Sequence, residues 1–538
     1  MFHQPLTPVG NSLTLSFMVA LLPIAVVLVL LGVLKRPAWQ AAGAGLLTGL
    51  GTAVAIWDMP LSTALAAAAN GAVFAFWPVM WIVISALFLF NITVASGRFA
   101  AFREWITTSL PPDRRVILIV IGFCFGALLE GVAGFGAPVA ITASLLIMVG
   151  FPALDALVFV LIFDTTPVAF GALGAPVTVL AAVTGLPAAS LAAMIGRQLP
   201  FIAAVLPFYV IGLYGGRRSL RALWPMLLVA GLSFGGAQFA ASNYFDYTLA
   251  DIFSALTSLI VTVLFLQIWQ PAPDADFRVV TVPPAATDNG LRATLWTAWL
   301  PWFIVCATVI VWTFLKIARF AQQSIHWPGL DNAVAITLYA DKPYAAVWLF
   351  QPLGTGTAIL AAALATALAV RLPWRELLRC AALTIRQIWV AVVSVMLIVA
   401  LAYVMNYSGI AYTLGLAAAS GGRAFVLFSP FLGWIAVFLS GSDTSGNALF
   451  GNLQMVAARQ LHLNPLLFAA TNSSGGVLAK MISPQNIATG MSVTDLKGQE
   501  GVVLARTFWH SIVLTLMLVV IVILQQYVVP GVIPSLER

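Results

Sequence analysis

Runs of apolar residues, each long enough to cross a bilayer, follow one another along almost the whole of this chain. A transmembrane helix needs roughly 20 such residues. Runs of that order lie at about 13–34, 41–57, 61–95, 116–150, 157–186, 199–213, 225–241, 252–268, 295–315, 354–370, 390–405, 425–458, 466–491 and 508–527. Several exceed one span and are interrupted by Gly and Pro. With 61% hydrophobic and 8% charged residues, and a mean hydropathy of +1.01, there is too little polar surface for a water-soluble fold. The period-two alternation of a β-barrel is absent, so helices must satisfy the backbone. The expected fold is an all-α polytopic membrane protein of about 12–16 helical segments.

The N-terminal stretch "MFHQPLTPVGNSLTLSF" has neither a basic leader nor a small-residue cleavage site ahead of its apolar run, which reads as a retained helix. Cys124, Cys306 and Cys380 are scattered without ligand spacing, which argues against a disulfide framework or a metal site. The net charge of +7 is informative through its placement. Basic residues gather at Lys35 and Arg36, at Arg98, Arg103, Arg114 and Arg115, at Arg217, Arg218 and Arg221, and at Arg371, Arg375 and Arg379. By the positive-inside rule these loops face the cytoplasm, so the charge sets topology and calls for no nucleic acid.

Five landmarks recur in order at nearly one offset, about 310 residues: Gly97 and Gly409, Glu130 and Asp443, Asp164 and Asn472, Pro176 and Pro484, Arg197 and Arg506. The expected organisation is N-terminal helices over 1–76, a transport unit over 77–214, connecting helices over 215–269, a polar linker over 270–294, connecting helices and a polar loop over 295–387, a second transport unit over 388–528 and a tail over 529–538. With the segments at 97–115 and 371–386 both inside, the helices before Gly97 and Gly409 run in opposite senses. The units are therefore expected to be inverted repeats. For the loop at Arg217 also to be inside, 116–150 must turn back as a re-entrant hairpin, and 425–458 must enter from the other side. Inverted repeats with broken helices mark secondary transporters, whose site lies near the midplane where the breaks meet. A polar stretch near 318–344, with His326, is expected on the face opposite the basic loops.

Glu130 in "LLEGVAGFGAP", Asp164 in "FDTTPVAFGALGAP", Asp443 in "FLSGSDTSGNALF" and Lys480 in "TNSSGGVLAKMISPQN" place ionisable groups inside apolar runs. Each costs roughly 2.5–3.5 kcal/mol at the bilayer centre, and so needs a partner, a proton or a polar cavity. A Gly-rich break also exposes N–H groups at the start of the next half-helix, where the dipole favours an anion. Such helix starts are expected near Pro138, after Gly134 and Gly136, and near Asn447. Thr165, Thr166, Ser442, Thr444, Ser445, Asn447, Asn472, Ser473 and Ser474 add hydrogen-bonding groups around the breaks. Together these suit a small polar anion. Glu130, Asp443 and Asp164 are the candidate proton-coupling groups, carrying a proton with the anion, although unwound carbonyls beside Asp443 or Asp164 would equally suit Na⁺. Lys480 and the hydroxyl and amide groups are the candidate substrate contacts.

Arg197 and Arg506 open the closing helices of the two units and read as snorkelling anchors. His3, His326, His462 and His510 are scattered singles without metal or catalytic spacing. No nucleotide-binding or hydrolase motif occurs in the right context, so neither a primary pump nor an enzyme is expected, and no cofactor is called for. An intramembrane hydrolase and an anion channel are the rival classes.

The stretches "GFCFGALLEGVAGFGAPVAIT", "TTPVAFGALGAP", "IGRQLPF", "NYSG", "SPFLGW", "FLSGSDTSGNALF" and "NSSGGVLAKMISPQNIA" resemble the characteristic segments of the bacterial L-lactate permease family. The likeness runs from the second helix to the last. It implies a multi-pass inner-membrane proton symporter of L-lactate, with D-lactate and glycolate as further substrates. It also implies Asn at the position of Asp164, where this chain departs from the pattern.

Overall fold

The computed structural model describes residues 1–34, 36–101, 110–132, 137–279, 295–491, 494, 496 and 499–535. Lys35, Arg103, Gly134, Gly136 and most of the linker expected at 270–294 lie outside the described residues.

Among the described residues, eight helices are long and apolar enough to cross a membrane: Leu13–Leu31, Leu61–Ala95, Arg114–Val132, Ala188–Tyr244, Tyr247–Ile268, Trp374–Ser408, Gly422–Ser440 and Glu500–Val528. Ala153–Phe163 and Val168–Thr184, bent by 62° at their junction, are long and apolar enough only when taken together as one bent span. The fold is thus an all-α polytopic membrane protein. The helix Arg114–Val132 is wholly buried, whereas Leu13–Leu31 is buried over only 28% of its apolar window. Outer helices therefore screen an inner set that contains the ionisable residues.

Two faces can be told apart by contacts between distant segments. On the basic face, the buried Arg115 guanidinium bridges Asp113 at 2.6 Å and Asp274 at 3.5 Å, and Arg218 meets Asp274 at 3.2 Å. Arg115 also lies over the Phe277 ring, 4.4 Å from its centre. The loops ending at Arg115 and beginning at Arg217 are thereby tied to one short acidic segment. Beyond setting topology, these arginines are structural, because a buried guanidinium left without its carboxylates would be costly.

On the opposite face the chain is not the plain loop expected near 318–344. Strand Gln323–His326 pairs antiparallel with Val347–Phe350. The N-terminal strand Phe2–His3 pairs with Val334–Ile336, which pairs in turn with Lys342–Pro343. Asp331 fastens this cap by accepting from the Ala346 amide at 2.8 Å and bonding the His326 ring at 2.7 Å. Short alternating stretches outside lipid can pair as strands, and a spanning helix rule does not see them. Gln4 then donates to the carbonyls of Asn406 and Tyr407, placing the end of Trp374–Ser408 on this face.

Two helices differ from expectation in extent. Leu199–Tyr244 is broken at Gly216, whose φ of 62° and ψ of −165° turn the chain at the basic loop. Trp374–Ser408 is one helix of 35 residues, so Arg375, Arg379 and Arg386 stand on its exposed side and not in a loop. At 1.5 Å per residue it is about 52 Å long, well beyond the ~30 Å hydrocarbon core, so its charged first turns sit outside lipid. Hydropathy finds only the apolar part of such a helix.

Candidate functional site

The segment from Arg114 to Gly150 enters and leaves on one face. Arg114, at its start, donates to the Gly150 carbonyl at 3.3 Å. Its arms are Arg114–Val132 and Ala137–Met148, with Glu130 near the inner end of the first. The segment Phe425–Gln460 folds back from the other face. The Phe425 ring lies 5.3 Å from that of Phe468, and Arg459 lies over Tyr339 of the strand cap at 5.1 Å. Its turn is Gly441, with φ of 70°; a Cβ there would fall 2.7 Å from the Gln485 side-chain oxygen and 2.8 Å from the Ser483 hydroxyl. Glycine is required on both counts.

The second arm starts at Asp443, earlier than the helix start expected near Asn447. Ser442 is the N-cap and accepts from the Ser445 amide at 3.4 Å. Capping by a serine hydroxyl wins over the later glycine as the starting signal. Asp443 is therefore in the first turn, where the helix dipole favours a negative charge.

The bent span supplies the third break. Ala153–Phe163 ends at Asp164, and three consecutive residues, Ala172, Leu173 and Gly174, take left-handed φ of 45°, 55° and 76° before the helix resumes. Two non-glycine residues in that region store backbone strain, a feature that clusters at functional sites. The fourth break follows Pro465–Ala479, where Lys480–Ile482 form a tight turn ahead of Pro484–Met491. Asn472, matched in sequence to Asp164, lies inside the Pro465–Ala479 helix and not at a break.

These breaks bring together residues hundreds of positions apart. Lys480 Nζ lies 2.7 Å from Glu130 Oε1 and 3.0 Å from Asp164 Oδ2, and all three are buried. Asp443 Oδ2 accepts from the Ser473 hydroxyl at 2.5 Å and from the Asn447 amide at 3.2 Å. Asn447 also donates to the Pro176 carbonyl at 3.3 Å, which joins the second hairpin to the bent span. Asn472 donates to Asn447 at 2.9 Å and accepts from Gln454 at 2.8 Å. A Cβ on Gly476 would fall 2.6 Å from Asp443 Oδ1, and Gly476 is about one helical turn before Lys480. The two clusters therefore adjoin.

Of the other expected contacts, Thr165 donates to the Ile162 carbonyl at 2.8 Å, while Thr444 and Ser445 are buried in the first turn after Ser442. Among the described residues, the buried hydroxyls of Thr166 and Ser474 have no hydrogen-bond partner, nor have the outer oxygens Glu130 Oε2 and Asp443 Oδ1. An orphaned buried polar atom costs about 1–3 kcal/mol, so these four hold hydrogen-bonding capacity that a small polar ligand can satisfy.

A family model described as L-lactate permease matches residues 16–529. The chain belongs to the L-lactate permease family. It is 40% identical to an L-lactate permease of Salmonella typhimurium, over 99% of this chain and 100% of that one. It is 39% identical to a glycolate permease of Escherichia coli, over 99% of each chain, and 38% identical to an L-lactate permease of Bacillus subtilis, again over 99% of each. The chain is a multi-pass membrane transporter of this family.

In this member of the family, Glu130, Asp164, Asp443 and Lys480 converge, whereas Arg197 and Arg506 stand apart. Arg197 bonds Asn243 at 2.8 Å and the Val532 carbonyl at 2.5 Å, and the exposed Arg506 lies 3.5 Å from Asp155. His3, His326 and His510 bond Asp341, Asp331 and Tyr209 away from the cluster.

Sequence reasoning missed Asp251. It is fully buried at the start of Ala250–Ile268, and a Cβ on Gly131 would fall 3.3 Å from its Cβ and from Oδ2. The legible signal was the spacing of Asp251, Ser254, Ser258 and Thr262, which marks one polar stripe on an apolar helix. Gln238 was missed too; it donates to the Thr166 carbonyl at 3.0 Å.

Above the cluster, toward the strand cap, lies a cavity of about 760 Å³ lined by Asn406, Asn452, Tyr339, Tyr344, Tyr407 and Arg459 among others. The helix Asp443–Gln460 carries both Asp443 and Arg459, so it runs from the buried cluster to this vestibule.

Proposed function

We propose that this chain imports L-lactate and related short 2-hydroxymonocarboxylates, D-lactate and glycolate included, by proton symport across the bacterial inner membrane. The names of the relatives support the substrate class. The observation that carries the coupling is the ratio of charges: one buried ammonium, Lys480, stands among the buried carboxylates Glu130, Asp164, Asp443 and Asp251. Ionised together they would leave three uncompensated negative charges in a low dielectric, and an incoming carboxylate would add another. Protons bound by the cluster remove that repulsion. The anion then enters as the protons do, and neither travels alone.

In this reading Glu130 and Asp443 are the coupling acids and Asp164 is an auxiliary one. Once Glu130 is protonated, its hold on Lys480 weakens, and the ammonium is released to meet the substrate carboxylate. Thr166 and Ser474 hydroxyls suit the substrate's hydroxyl or second oxygen, with Thr165, Ser442, Thr444, Ser445, Asn447, Asn472 and Ser473 shaping the cradle. Gly134 and Gly136 belong to the same cradle by sequence. Arg459 in the vestibule suits recruitment of the anion, because a cation in a concave site raises its local concentration.

The units 77–214 and 388–528 are read as inverted repeats rocking about this cluster. Support comes from the two hairpins, whose ends meet on opposite faces. Single cysteines at Gly150 and Leu461 should be labelled by a membrane-impermeant thiol reagent from opposite sides of the membrane. Labelling of both from one side contradicts the inversion.

Purified protein in liposomes tests the coupling. An inward proton gradient imposed alone should drive labelled L-lactate above its equilibrium level, while an inward Na⁺ gradient alone should not. Accumulation with Na⁺ alone would point to Na⁺ coupling, and current without accumulation to a channel.

A further inference from the structure

Asp251 is the one buried carboxylate of the cluster that has no partner at all among the described residues. Its side chain is 0% exposed, and neither Oδ1 nor Oδ2 makes a hydrogen bond. Glu130 by contrast is paired with Lys480, and Asp443 with Ser473 and Asn447. The start of this helix is already capped by Asp246, which accepts from the Thr248 amide at 2.9 Å ahead of the turn Tyr247–Leu249. Asp251 lies inside the helix and takes no part in that cap, so capping does not account for it.

Its surroundings are specific. Asp251 packs against Gly131, the residue after Glu130, at the inner end of the first hairpin. The titratable groups nearest it on the packed elements are Glu130, Asp164 and Lys480, with Tyr247 before it in the chain and Cys124 facing Ser258 further along the helix. Tyr247 is engaged with Thr178 at 3.1 Å, and the Cys124 thiol with Ser258 at 3.3 Å. From Asp251 a stripe of fully buried hydroxyls, Ser254, Ser258 and Thr262, continues along the same face of the helix toward Ile268 and the Asp274–Arg115 bridge on the basic face. Every other buried position along that helix after Asp251 is apolar.

We propose that Asp251 is the relay that takes the transported proton from Glu130 on its way to the basic face. Asp251 makes no direct hydrogen bond to Glu130, so the transfer runs through one water: the O–H of protonated Glu130 breaks as the water takes its proton, and the water gives up one of its own as an O–H forms on ionised Asp251, leaving Glu130 as the carboxylate that re-pairs with Lys480. Re-pairing withdraws Lys480 from the substrate and favours release of the anion. The proton then leaves toward the basic face on the polar side of the helix, with water carrying it past hydroxyls that themselves donate to the Ala250 and Ala230 carbonyls. Asp251 acts on the proton alone and does not touch the substrate, and the assignment rests on the proton-symport reading above.

The test separates proton release from substrate exchange. Full-length wild type, Asp251→Asn and Asp251→Glu are reconstituted in liposomes, and two rates are read for each. Exchange of labelled for unlabelled L-lactate at equal concentrations, with no gradient, needs no net proton release. Accumulation driven by an imposed proton gradient needs one per cycle. Asp251→Asn is expected to keep exchange within about twofold of wild type and to lose accumulation by about a hundredfold or more, the lower end of the effect of removing a proton-transfer group. Asp251→Glu should recover accumulation. Asp251→Asn that accumulates as wild type does overturns the relay, as does loss of exchange and accumulation together, which marks a structural role. Wild-type protein that ignores the proton gradient overturns the symport reading and the relay with it.

Discussion

Glu130→Gln is expected to abolish proton-driven lactate accumulation while leaving folded protein in the membrane. Gln keeps the size and the hydrogen bond to Lys480 but cannot take up or give back a proton. Accumulation in liposomes should fall by about a hundredfold or more, on the scale of losing a positioned proton-transfer group. Lys480 would remain beside Asp164 at 3.0 Å, so the ammonium keeps one carboxyl partner and the fold survives. The check is labelled-lactate accumulation across a range of external pH, together with the detergent-solubilised elution profile. A variant with undiminished, pH-responsive accumulation would remove Glu130 from the coupling.

Lys480→Ala should do more damage and of a different kind. Its removal leaves Glu130 and Asp164 buried with no cation between them. Breaking a buried ion pair from one side destabilises by about 3–5 kcal/mol, because the survivor is left uncompensated. Thermal unfolding in detergent should shift down clearly, and transport should be lost. Adding Glu130→Gln to Lys480→Ala removes one of the stranded charges and should recover part of the stability but none of the transport. Recovery of transport by the double variant would show that Lys480 serves only to neutralise Glu130.

The sequence carried much of this site because charge is so rare in its apolar runs. Glu130, Asp443 and Lys480 stood out, and the glycine before Asp443 marked the turn of the second hairpin. Which carboxylates Lys480 meets was not legible, since Glu130 lies 350 positions away and only the packing of two breaks joins them. Asp251 was lost for a local reason. It sits at the edge of an apolar run, where a charge ordinarily marks the membrane surface. The burial of that edge by the first hairpin is a tertiary fact, and only the hydroxyl stripe after it hinted that the face was polar. Asn472, paired with Asp164 by the repeat offset, differs from it in lying within Pro465–Ala479, which stays helical through it. The strand cap was invisible to a reading based on spans. It depends on pairing the N-terminal residues with a segment more than three hundred positions later.

Proton uptake on lactate addition tests the central claim most directly. Liposomes in weak buffer, holding no gradient, receive a pulse of L-lactate while the external pH is followed. External alkalinisation is expected to accompany lactate uptake by wild type and to be absent with Glu130→Gln. Lactate uptake by wild type without any change in external pH would contradict the claim.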